Sequence, residues 1–360
     1  SKGDRLFDLV FATGDGLGPV FIRQSCGACH ASAARGPGTV QKMIVVEADG
    51  TVSADQSALQ WGNTVRPFYA GGGTQGLLAP SGTLSGGKKI LLSTRAGPAV
   101  LGRGYIEAIA DSEIEAQEAA QASRDDGIHG RINRVTWRSE SNPDTRFHAH
   151  FKGETNLIGR FGLKARQATL DDFAADALQG DMGLTSPLRP DELPNPDGLT
   201  DDAKAGADVP IENVNALAMY MRLIAMPKRA TPPAGGKELF ESARCDVCHV
   251  ESMRTRADYP IAALAGLDAP IYSDLLLHDM GSAAFDGLSD ESAHGSEWKT
   301  PPLIGLTFQR SYLHDGTATT LSDAVLRHDS PGSQAHDSIA RFKALSDADQ
   351  KTLLAFLATL

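Results

Sequence analysis

Apolar positions recur at helical spacing in two segments that lie far apart in the chain. The first segment, 213–226, ends just before Pro227, and the second, 346–360, opens at Ser346 with the polar run SDAD, a form of capping box. Their apolar positions are Val214, Leu217, Ala218, Met221 and Ile224 in the first segment, and Leu353, Leu354, Phe356 and Leu357 in the second. This spacing predicts one amphipathic helix in each segment.

Each predicted helix ends one copy of a repeated sequence pattern. In order, the first copy has RLF at 5–7, CGACH at 26–30 and PAVLG at 98–102, and the second has GKELF at 236–240, CDVCH at 245–249 and PPLIG at 301–305. Pro227 and the linker TPPAGG at 231–236 separate the copies. We therefore predict two domains, residues 1–230 and residues 231–360. The longer first domain includes a glycine-rich stretch at Gly71–Gly73, and short hairpins are expected at 135–151.

Composition and charge narrow the class of protein. The chain has 360 residues, of which 41% are hydrophobic, and its formal net charge is −11. No apolar stretch approaches the roughly 18 residues that a membrane span needs, so a soluble protein without a membrane span is expected. The negative charge argues against a nucleic-acid partner, because nucleic acids bind to basic surfaces.

All four cysteines lie in the two CxxCH motifs. Cysteines at positions i and i+3 share one side of a helical turn, where both thiols can form thioethers to one porphyrin, and the following histidine can bind the iron. A zinc site would need four ligands from two motifs that are distant in sequence, and a thioredoxin-like dithiol would need a βαβ pattern, which is missing. The motifs predict two covalently bound haem c groups, held by Cys26, Cys29, Cys245 and Cys248, with His30 and His249 as iron ligands.

Fold class and location follow from the haem motifs. We expect a mainly α protein of two cytochrome-c-like haem domains, with small β elements in the larger N-terminal domain. Because haem c is attached outside the cytoplasm, we expect a periplasmic or exported protein. The polar start at Ser1-Lys2-Gly3 is interpreted as that of a mature form without its signal peptide.

The sequence resembles the bacterial di-haem cytochrome c peroxidase superfamily, and within it the di-haem oxidoreductases often labelled "thiol oxidoreductase". The segments that carry the resemblance are the two CxxCH motifs, GRFG at 159–162, GDMG at 180–183, SDLLLHDMG at 273–281, EWKTPPL at 297–303 and YLHDG at 312–316 with TLSDAV at 320–325. The resemblance implies a peroxide-dependent oxidoreductase. Its N-terminal haem would bind the substrate and its C-terminal haem would relay electrons from a small redox donor protein, a cytochrome or a cupredoxin.

The resemblance also implies the second ligand of the C-terminal haem iron. In the peroxidases a methionine follows the histidine of the His-Asp-Gly motif by fourteen residues, and the corresponding position after His314 is His328. We therefore expect His249 and His328 to bind this iron from opposite faces. Met280 is the alternative to His328, and it would give a higher reduction potential.

The distal residue of the N-terminal haem is less directly indicated. By the duplication, Glu107 falls near the position of His314, and we expect it in an apolar haem pocket as the acid–base group for bound peroxide. Glu113, His129 and His150 are the alternatives.

Two further expectations come from the resemblance. Related enzymes have a tryptophan between the haems, and here Trp137 and Trp298 are candidates. Related enzymes also hold calcium near the Lys-x-Pro turn, here Lys299 and Pro301, but the position of an asparagine ligand is Ala96, so calcium is doubtful. The alternative functions are a pure di-haem electron carrier and a maturation enzyme that oxidises side chains of a partner protein.

Overall fold

The segment before each CxxCH motif forms a helix that crosses the last helix of the same sequence copy. The computed structural model describes residues 1–31, 38–70, 84–196, 198 and 206–360, so Gly71–Gly73 lie outside the described residues. Its α-helices there are α1 (Lys2–Asp8), α2 (Cys26–Cys29), α3 (Arg103–Ala108), α4 (Asp111–Ala122), α5 (Leu170–Met182), α6 (Ile211–Leu223), α7 (Gly236–Ser242), α8 (Leu321–Leu326), α9 (His336–Ala344) and α10 (Asp347–Leu357). Short 3-10 turns occupy Thr13–Asp15, Ser85–Gly87, Cys245–Val247, Ala262–Leu264, Ser282–Ala284 and Leu306–Phe308.

The strands pair in antiparallel ribbons of two. They are β1 (Val20–Phe21), β2 (Thr39–Val46), β3 (Phe68–Tyr69), β4 (Lys89–Ala96), β5 (Arg134–Val135), β6 (Leu157–Ile158), β7 (Met253–Arg254), β8 (Asp268–Ala269), β9 (Leu277–Asp279) and β10 (Glu297–Lys299). The pairs are β1–β3, β2–β4, β5–β6, β7–β8 and β9–β10. Helix exceeds strand in the described residues, at about 32% against 15%. The sequence predicted strands only before residue 231. This prediction is wrong, because β7 to β10 lie after that residue. Each of these strands pairs with another that is near in sequence, so they form without a larger sheet.

The first predicted amphipathic helix is α6, and it crosses α1. Phe7 of α1 packs on Tyr220 of α6 with ring centroids 5.3 Å apart. The two backbones meet at Gly3, where a Cβ atom would lie 2.0 Å from the carbonyl oxygen of Ala216, so only glycine fits. The helix ends at Leu223, earlier than predicted, because Pro227 disfavours helical backbone in the residues before it.

The second predicted helix is α10, and it crosses α7 in a similar way. Phe240 of α7 packs on Phe356 of α10 with centroids 5.5 Å apart, and a Cβ atom at Gly236 would lie 2.7 Å from Cβ of Phe356. Ser346 caps α10 as predicted, because its Oγ accepts a hydrogen bond from the backbone N–H of Asp349 at 3.2 Å. The same helix crossing, with glycine at the contact, therefore occurs once in each sequence copy.

The hydrophobic core crosses the predicted domain boundary. The larger core includes Leu170 and Leu178 of α5, yet Met253, Leu275 and Ile304 from beyond residue 231 are buried in it as well. A smaller core lies within the second copy and is formed by Phe240, Ala243, Tyr272, Leu306, Phe342, Leu353, Phe356, Leu357 and Leu360. The boundary at residue 231 stays a prediction, and the packing shows that the two sides share one core.

A long hairpin adds a polar connection between the two copies. Strands β2 and β4 pair over their full length, from Thr39 opposite Ala96 to Val46 opposite Lys89. Near the end of β4, Arg95 forms an ion pair with Asp286 of the second copy at 2.6 Å. Within the described residues, no helix combines the length and the apolar character that a bilayer span requires.

Candidate functional site

The first CxxCH motif forms a single helical turn, α2. Ser25 caps this turn by accepting a hydrogen bond from the backbone N–H of Ala28 at 3.1 Å. The backbone N–H of His30 donates to the carbonyl of Cys26 at 2.9 Å, which closes the turn and places the histidine directly after the second thiol. Both Cys26 and Cys29 are half-buried free thiols. This is the local geometry that the sequence predicts.

The second motif repeats this arrangement in a tighter, 3-10 turn. It begins after Arg244, whose positive φ of 64° turns the chain out of α7. The backbone N–H of His249 donates to the carbonyl of Cys245 at 2.9 Å, matching the bond in the first motif. Cys245 and Cys248 are also half-buried free thiols. Burial raises the pKa of Cys245, like that of Cys26, to about 12, so these thiols lack the easily formed thiolate of a dithiol redox pair.

The imidazole of His30 is buried and has a free ring nitrogen. Its Nδ1 has no hydrogen-bond partner among the residues that the structure describes. Burial, with a smaller contribution from the Arg103 cation, lowers the pKa of His30 to about 4, so the ring is neutral near pH 7. Phe7 flanks the ring, with centroids 6.2 Å apart, as Phe240 flanks His249 at 6.5 Å. A neutral imidazole is the form that binds a metal.

His249 and His328 both direct one ring nitrogen to a backbone carbonyl. Nδ1 of His249 donates to the carbonyl of Tyr272 at 3.0 Å, and Nδ1 of His328 donates to the carbonyl of Ala324 at 2.7 Å. In each ring the other nitrogen, Nε2, is thereby left as the unprotonated one. Burial lowers the pKa of His249 to about 4, and the charge of His328 contributes to the lowering.

The backbone of Met280, the alternative ligand, pairs with neighbouring segments of the chain. Its backbone N–H donates to the carbonyl of Ser296 at 3.0 Å, and it bridges to Ser333 just beyond the β9–β10 ribbon. His328 acts electrostatically on His249, and the side chain of Met280 has no such effect on it. The choice between the two ligands stays a prediction.

Glu107 lies in α3 and is surrounded by hydrogen-bond donors. Its carboxylate accepts from Nε of Arg222 at 2.5 Å, from the hydroxyl of Tyr259 at 2.7 Å and from the backbone N–H of Leu170 at 2.8 Å. The expectation of an apolar pocket is wrong, because α6 brings the guanidinium of Arg222 against this carboxylate. Sequence reasoning missed Arg222 and Tyr259, which lie 115 and 152 residues away, and no local signal marks them.

The alternatives to Glu107 occupy different surroundings. Glu113 accepts from the backbone N–H of Arg254 at 3.3 Å, and His129 is exposed, with Nδ1 bonded to the carbonyl of Gln121. His150 stacks on His148 with centroids 4.9 Å apart, and its Nδ1 contacts Glu154 at 3.0 Å. Their roles as distal groups stay predictions.

A buried polar cluster next to Cys248 was not assigned from the sequence. Nε2 of His278 donates to Asp274 at 2.9 Å, and Nδ1 of His278 lies 2.9 Å from Oε1 of Gln334 and 3.7 Å from Sγ of Cys248. Gln121 of α4 also donates to Asp274, at 2.7 Å. The segment SDLLLHDMG at 273–281 contains Asp274 and His278, but the sequence analysis used it only as support for the family resemblance. The cluster fixes the chain around the second motif.

The family of the chain follows from comparison with known proteins. The family model described as "Di-haem oxidoreductase, putative peroxidase" matches residues 82–360, which is most of the chain. The protein belongs to this di-haem oxidoreductase family. The match confirms the resemblance seen in the sequence, and membership implies two haem cofactors.

Distant likenesses among solved structures span nearly the whole chain. A hydrazine synthase from Kuenenia stuttgartiensis is 15% identical, with a TM-score of 0.42, and the alignment covers 99% of this chain and 86% of that one. The di-haem peroxidase BthA from Burkholderia thailandensis is 16% identical, with a TM-score of 0.43, and the alignment covers 100% and 84%. No curated protein matches the chain.

The residues of this di-haem oxidoreductase fit two haem groups. Each CxxCH turn carries two free thiols and one imidazole, and both His30 and His249 have a ring nitrogen available for iron. His328 offers a second imidazole, with Nδ1 bonded to a backbone carbonyl and Nε2 left for iron. Cys26, Cys29 and His30 would hold one haem, and the second motif with His328 would hold the other. A haem supplies iron that can exchange electrons and, where a coordination position is open, bind peroxide.

The surroundings of Ala96 and Trp298 bear on calcium and on electron transfer. The side chain of Ala96 has no oxygen that could bind calcium. The backbone N–H of Ala96 donates to the carbonyl of His314 at 2.7 Å. His314 stacks on Trp298 with centroids 3.8 Å apart, and Nζ of Lys164 lies 4.0 Å from the same indole ring. Trp137 packs on His148 instead, at 4.9 Å. A relay through either tryptophan stays a prediction.

Proposed function

We propose that the protein is a peroxide-dependent oxidoreductase with two covalently bound haems c and a division of labour between them. Cys26, Cys29 and His30 would hold a haem that supplies the peroxide-binding iron, and Cys245, Cys248, His249 and His328 would hold a haem that supplies electrons from an external donor. Reduction of one hydrogen peroxide to two waters takes two electrons and two protons, and the donor supplies the electrons. Family membership supports the reaction class, and the proposal adds the peroxide dependence and the roles of the two haems.

The observation that carries the proposal is the unequal surroundings of the two motif histidines. The charge of a second imidazole, that of His328, acts on His249, and each of these rings donates Nδ1 to a backbone carbonyl. The charged neighbour of His30 is instead the guanidinium of Arg103, which cannot bind iron. Two imidazoles favour a six-coordinate electron-transfer iron, whereas one imidazole leaves a position for a substrate.

Glu107 remains the proposed acid–base group of the N-terminal haem. Its carboxylate can take a proton from bound peroxide and return it to the leaving oxygen. Tyr259 donates its hydroxyl to Glu107 at 2.7 Å and holds the carboxylate in place. Nε of Arg222 donates to the same carboxylate at 2.5 Å and helps to fix its orientation.

The proposed setting of the reaction is the periplasm or the outside of the cell, where haem c is attached. We propose a small redox protein, a cytochrome or a cupredoxin, as the electron donor. Calcium is not part of the proposal, because Ala96 occupies the position expected for a side-chain ligand.

The experiment that tests the proposal is a spin-state measurement on each iron by visible and EPR spectroscopy. We expect one high-spin ferric signal that changes when peroxide or cyanide is added, and one low-spin signal that does not. Two low-spin signals that ignore both ligands would instead identify a pure electron carrier. A purified protein that carries no haem would exclude both the peroxide-dependent oxidoreductase and the electron carrier.

The role of Glu107 is tested by Glu107→Gln. Peroxide turnover should slow by a factor on the order of 10²–10⁴ because the acid–base group is lost. Glu115→Gln, an exposed carboxylate on α4, is the control and should leave turnover unchanged. Unaltered haem spectra in Glu107→Gln would show that the pocket is intact, and unaltered turnover would remove Glu107 from the mechanism.

A further inference from the structure

Lys164 places its ammonium group against three backbone carbonyls of the second sequence copy. The residue is fully buried, and its Nζ donates to the carbonyls of His294, Gly295 and Glu297 at 2.7, 3.0 and 2.8 Å. An ammonium group has three N–H donors, so each donor has one acceptor here. We call these three carbonyls the carbonyl cradle. Their oxygens converge on one point, and a cation occupies it.

The carbonyl cradle is formed by a turn whose own hydrogen bonds do not involve Lys164. The backbone N–H of Glu297 donates to the carbonyl of His294 at 3.1 Å, and the backbone N–H of His294 donates to Oε2 of Glu297 at 2.7 Å. Arg131 holds the same carboxylate, because its Nε donates to Oε1 of Glu297 at 2.7 Å. These bonds orient the carbonyls, so the carbonyl cradle should persist when the lysine side chain is shortened.

Two further groups favour a positive charge at this place. Nζ of Lys164 lies 3.6 Å from Oδ1 of Asp286 and 4.0 Å from the centroid of the Trp298 indole ring. A carboxylate and the face of an aromatic ring both attract cations. Burial, with a smaller contribution from the Arg95 cation, lowers the pKa of Lys164 to about 8, so the ammonium form still predominates near pH 7.

The number and the distance of the oxygens indicate which cation the carbonyl cradle suits. Calcium takes roughly six to eight oxygen ligands at about 2.3–2.6 Å. Here three carbonyl oxygens lie 2.7–3.0 Å from Nζ, which is the length of an N–H···O hydrogen bond. The carbonyl cradle is therefore matched to an ammonium ion that donates hydrogen bonds, and not to calcium.

We propose that the carbonyl cradle is a binding site for a primary ammonium ion, and that Lys164 is its built-in occupant. The inference goes beyond the proposed function and does not depend on it. Lys164 comes from the first sequence copy, so its ammonium group joins the two copies as a bound cation would. The turn leads directly into β10, where Trp298 stacks on His314 with centroids 3.8 Å apart. The same cation thus also holds this aromatic pair.

The test is thermal unfolding of the Lys164→Ala holoprotein while propylammonium chloride is titrated. The substitution removes Cγ, Cδ, Cε and Nζ, and propylammonium supplies the same four heavy atoms without a bond to the chain. Three buried carbonyls lose their donor, so the Tm should fall by on the order of 5 °C. Propylammonium should restore most of that loss, with a saturating dependence on its concentration, and should leave the wild-type Tm unchanged.

Three controls isolate the carbonyl cradle. Lys164→Met should also have a lowered Tm, but propylammonium should not raise it, because the methionine side chain fills the space. Tetramethylammonium, which carries the same charge and has no N–H donor, should not restore the Tm of Lys164→Ala. Lys152→Ala, at a lysine that is 55% exposed and 2.5 Å from Glu140, should have nearly the wild-type Tm with and without propylammonium.

The outcomes that would overturn the inference are specific. A wild-type Tm in Lys164→Met would show that the three carbonyls need no cation. Equal effects of propylammonium and tetramethylammonium on Lys164→Ala, or no effect of either, would show that the carbonyl cradle does not bind a primary ammonium ion. If Lys164→Ala is not obtained folded, its recovery on dilution from urea is measured with and without propylammonium, and equal recovery would likewise contradict the inference.

Discussion

At the scale of single residues, the local geometry of the two CxxCH motifs could be predicted, and the surroundings of their histidines could not. CxxCH is a local pattern, and one helical turn fixes the relation of Cys26 to His30 and of Cys245 to His249. The contact between Glu107 and Arg222 depends on how α3 and α6 pack, which no sequence period encodes. The geometry of a local motif could therefore be predicted from the sequence, whereas contacts made by tertiary packing could not.

The ligand of the C-terminal haem is the residue whose replacement has the clearest expected result. Under the proposed ligation by His249 and His328, His328→Ala should convert the low-spin signal of this haem to high-spin, because the iron would lose one of its two imidazoles. Its reduction potential should change as well, since axial ligands set the potential. EPR and visible spectra of the purified holoprotein provide the measurement.

Two further variants interpret that result. His336→Ala, at a histidine whose side chain is 72% exposed and paired with Asp329, should leave both haem signals as they are. If His328→Ala keeps its low-spin signal and Met280→Leu loses it, the ligand is Met280 and the bis-histidine assignment is wrong.

At the scale of elements, helices were predicted better than strands. The terminal helices α6 and α10 carry clear helical periods, and Ser346 gives a cap signal that the structure confirms. The hairpin β2–β4 was missed, although each strand is eight residues long. The burial of β2 is irregular, with its last four residues Met43–Val46 all buried, so the alternation that marks a half-buried strand is lost there.

Arg95 anchors this hairpin to the second sequence copy through ion pairs with Asp286 and Asp290, and their loss should weaken the fold. Arg95 and Asp286 have side chains that are 10% and 4% exposed. Arg95→Met should lower the free energy of unfolding by about 3 kcal/mol, because Asp286 stays buried with weaker partners. Urea denaturation of the holoprotein measures this change.

A surface pair offers the matched control for Arg95. Arg138 pairs with Glu291 at 2.8 Å, but its side chain is 67% exposed. Arg138→Met should therefore change the free energy of unfolding by less than about 1 kcal/mol. Equal losses in both variants would mean that Arg95 does not act as a buried anchor.

At the scale of the whole molecule, the sequence repeat divides the chain into two copies, whereas the packing of the larger core joins them. The repeat is visible in the two helix crossings, with Gly3 and Gly236 at the contacts. The larger core nevertheless takes Met253 and Ile304 from the far side of residue 231. A boundary drawn from sequence follows the repeat, because linker composition is local, whereas the sharing of a core depends on the folded arrangement.

Cleavage of the linker distinguishes these two descriptions. A protease site inserted between Pro232 and Ala234 should be cut readily, because this segment is mostly exposed and connects two helices. The two fragments, which divide near residue 233, should then stay together and elute as one species in size-exclusion chromatography. The reason is that separation would expose Met253, Leu275 and Ile304 and break the ion pair of Arg95 with Asp286. Unfolding of the cut protein should remain a single transition, and two separately eluting folded fragments would show that each copy has a sufficient core of its own.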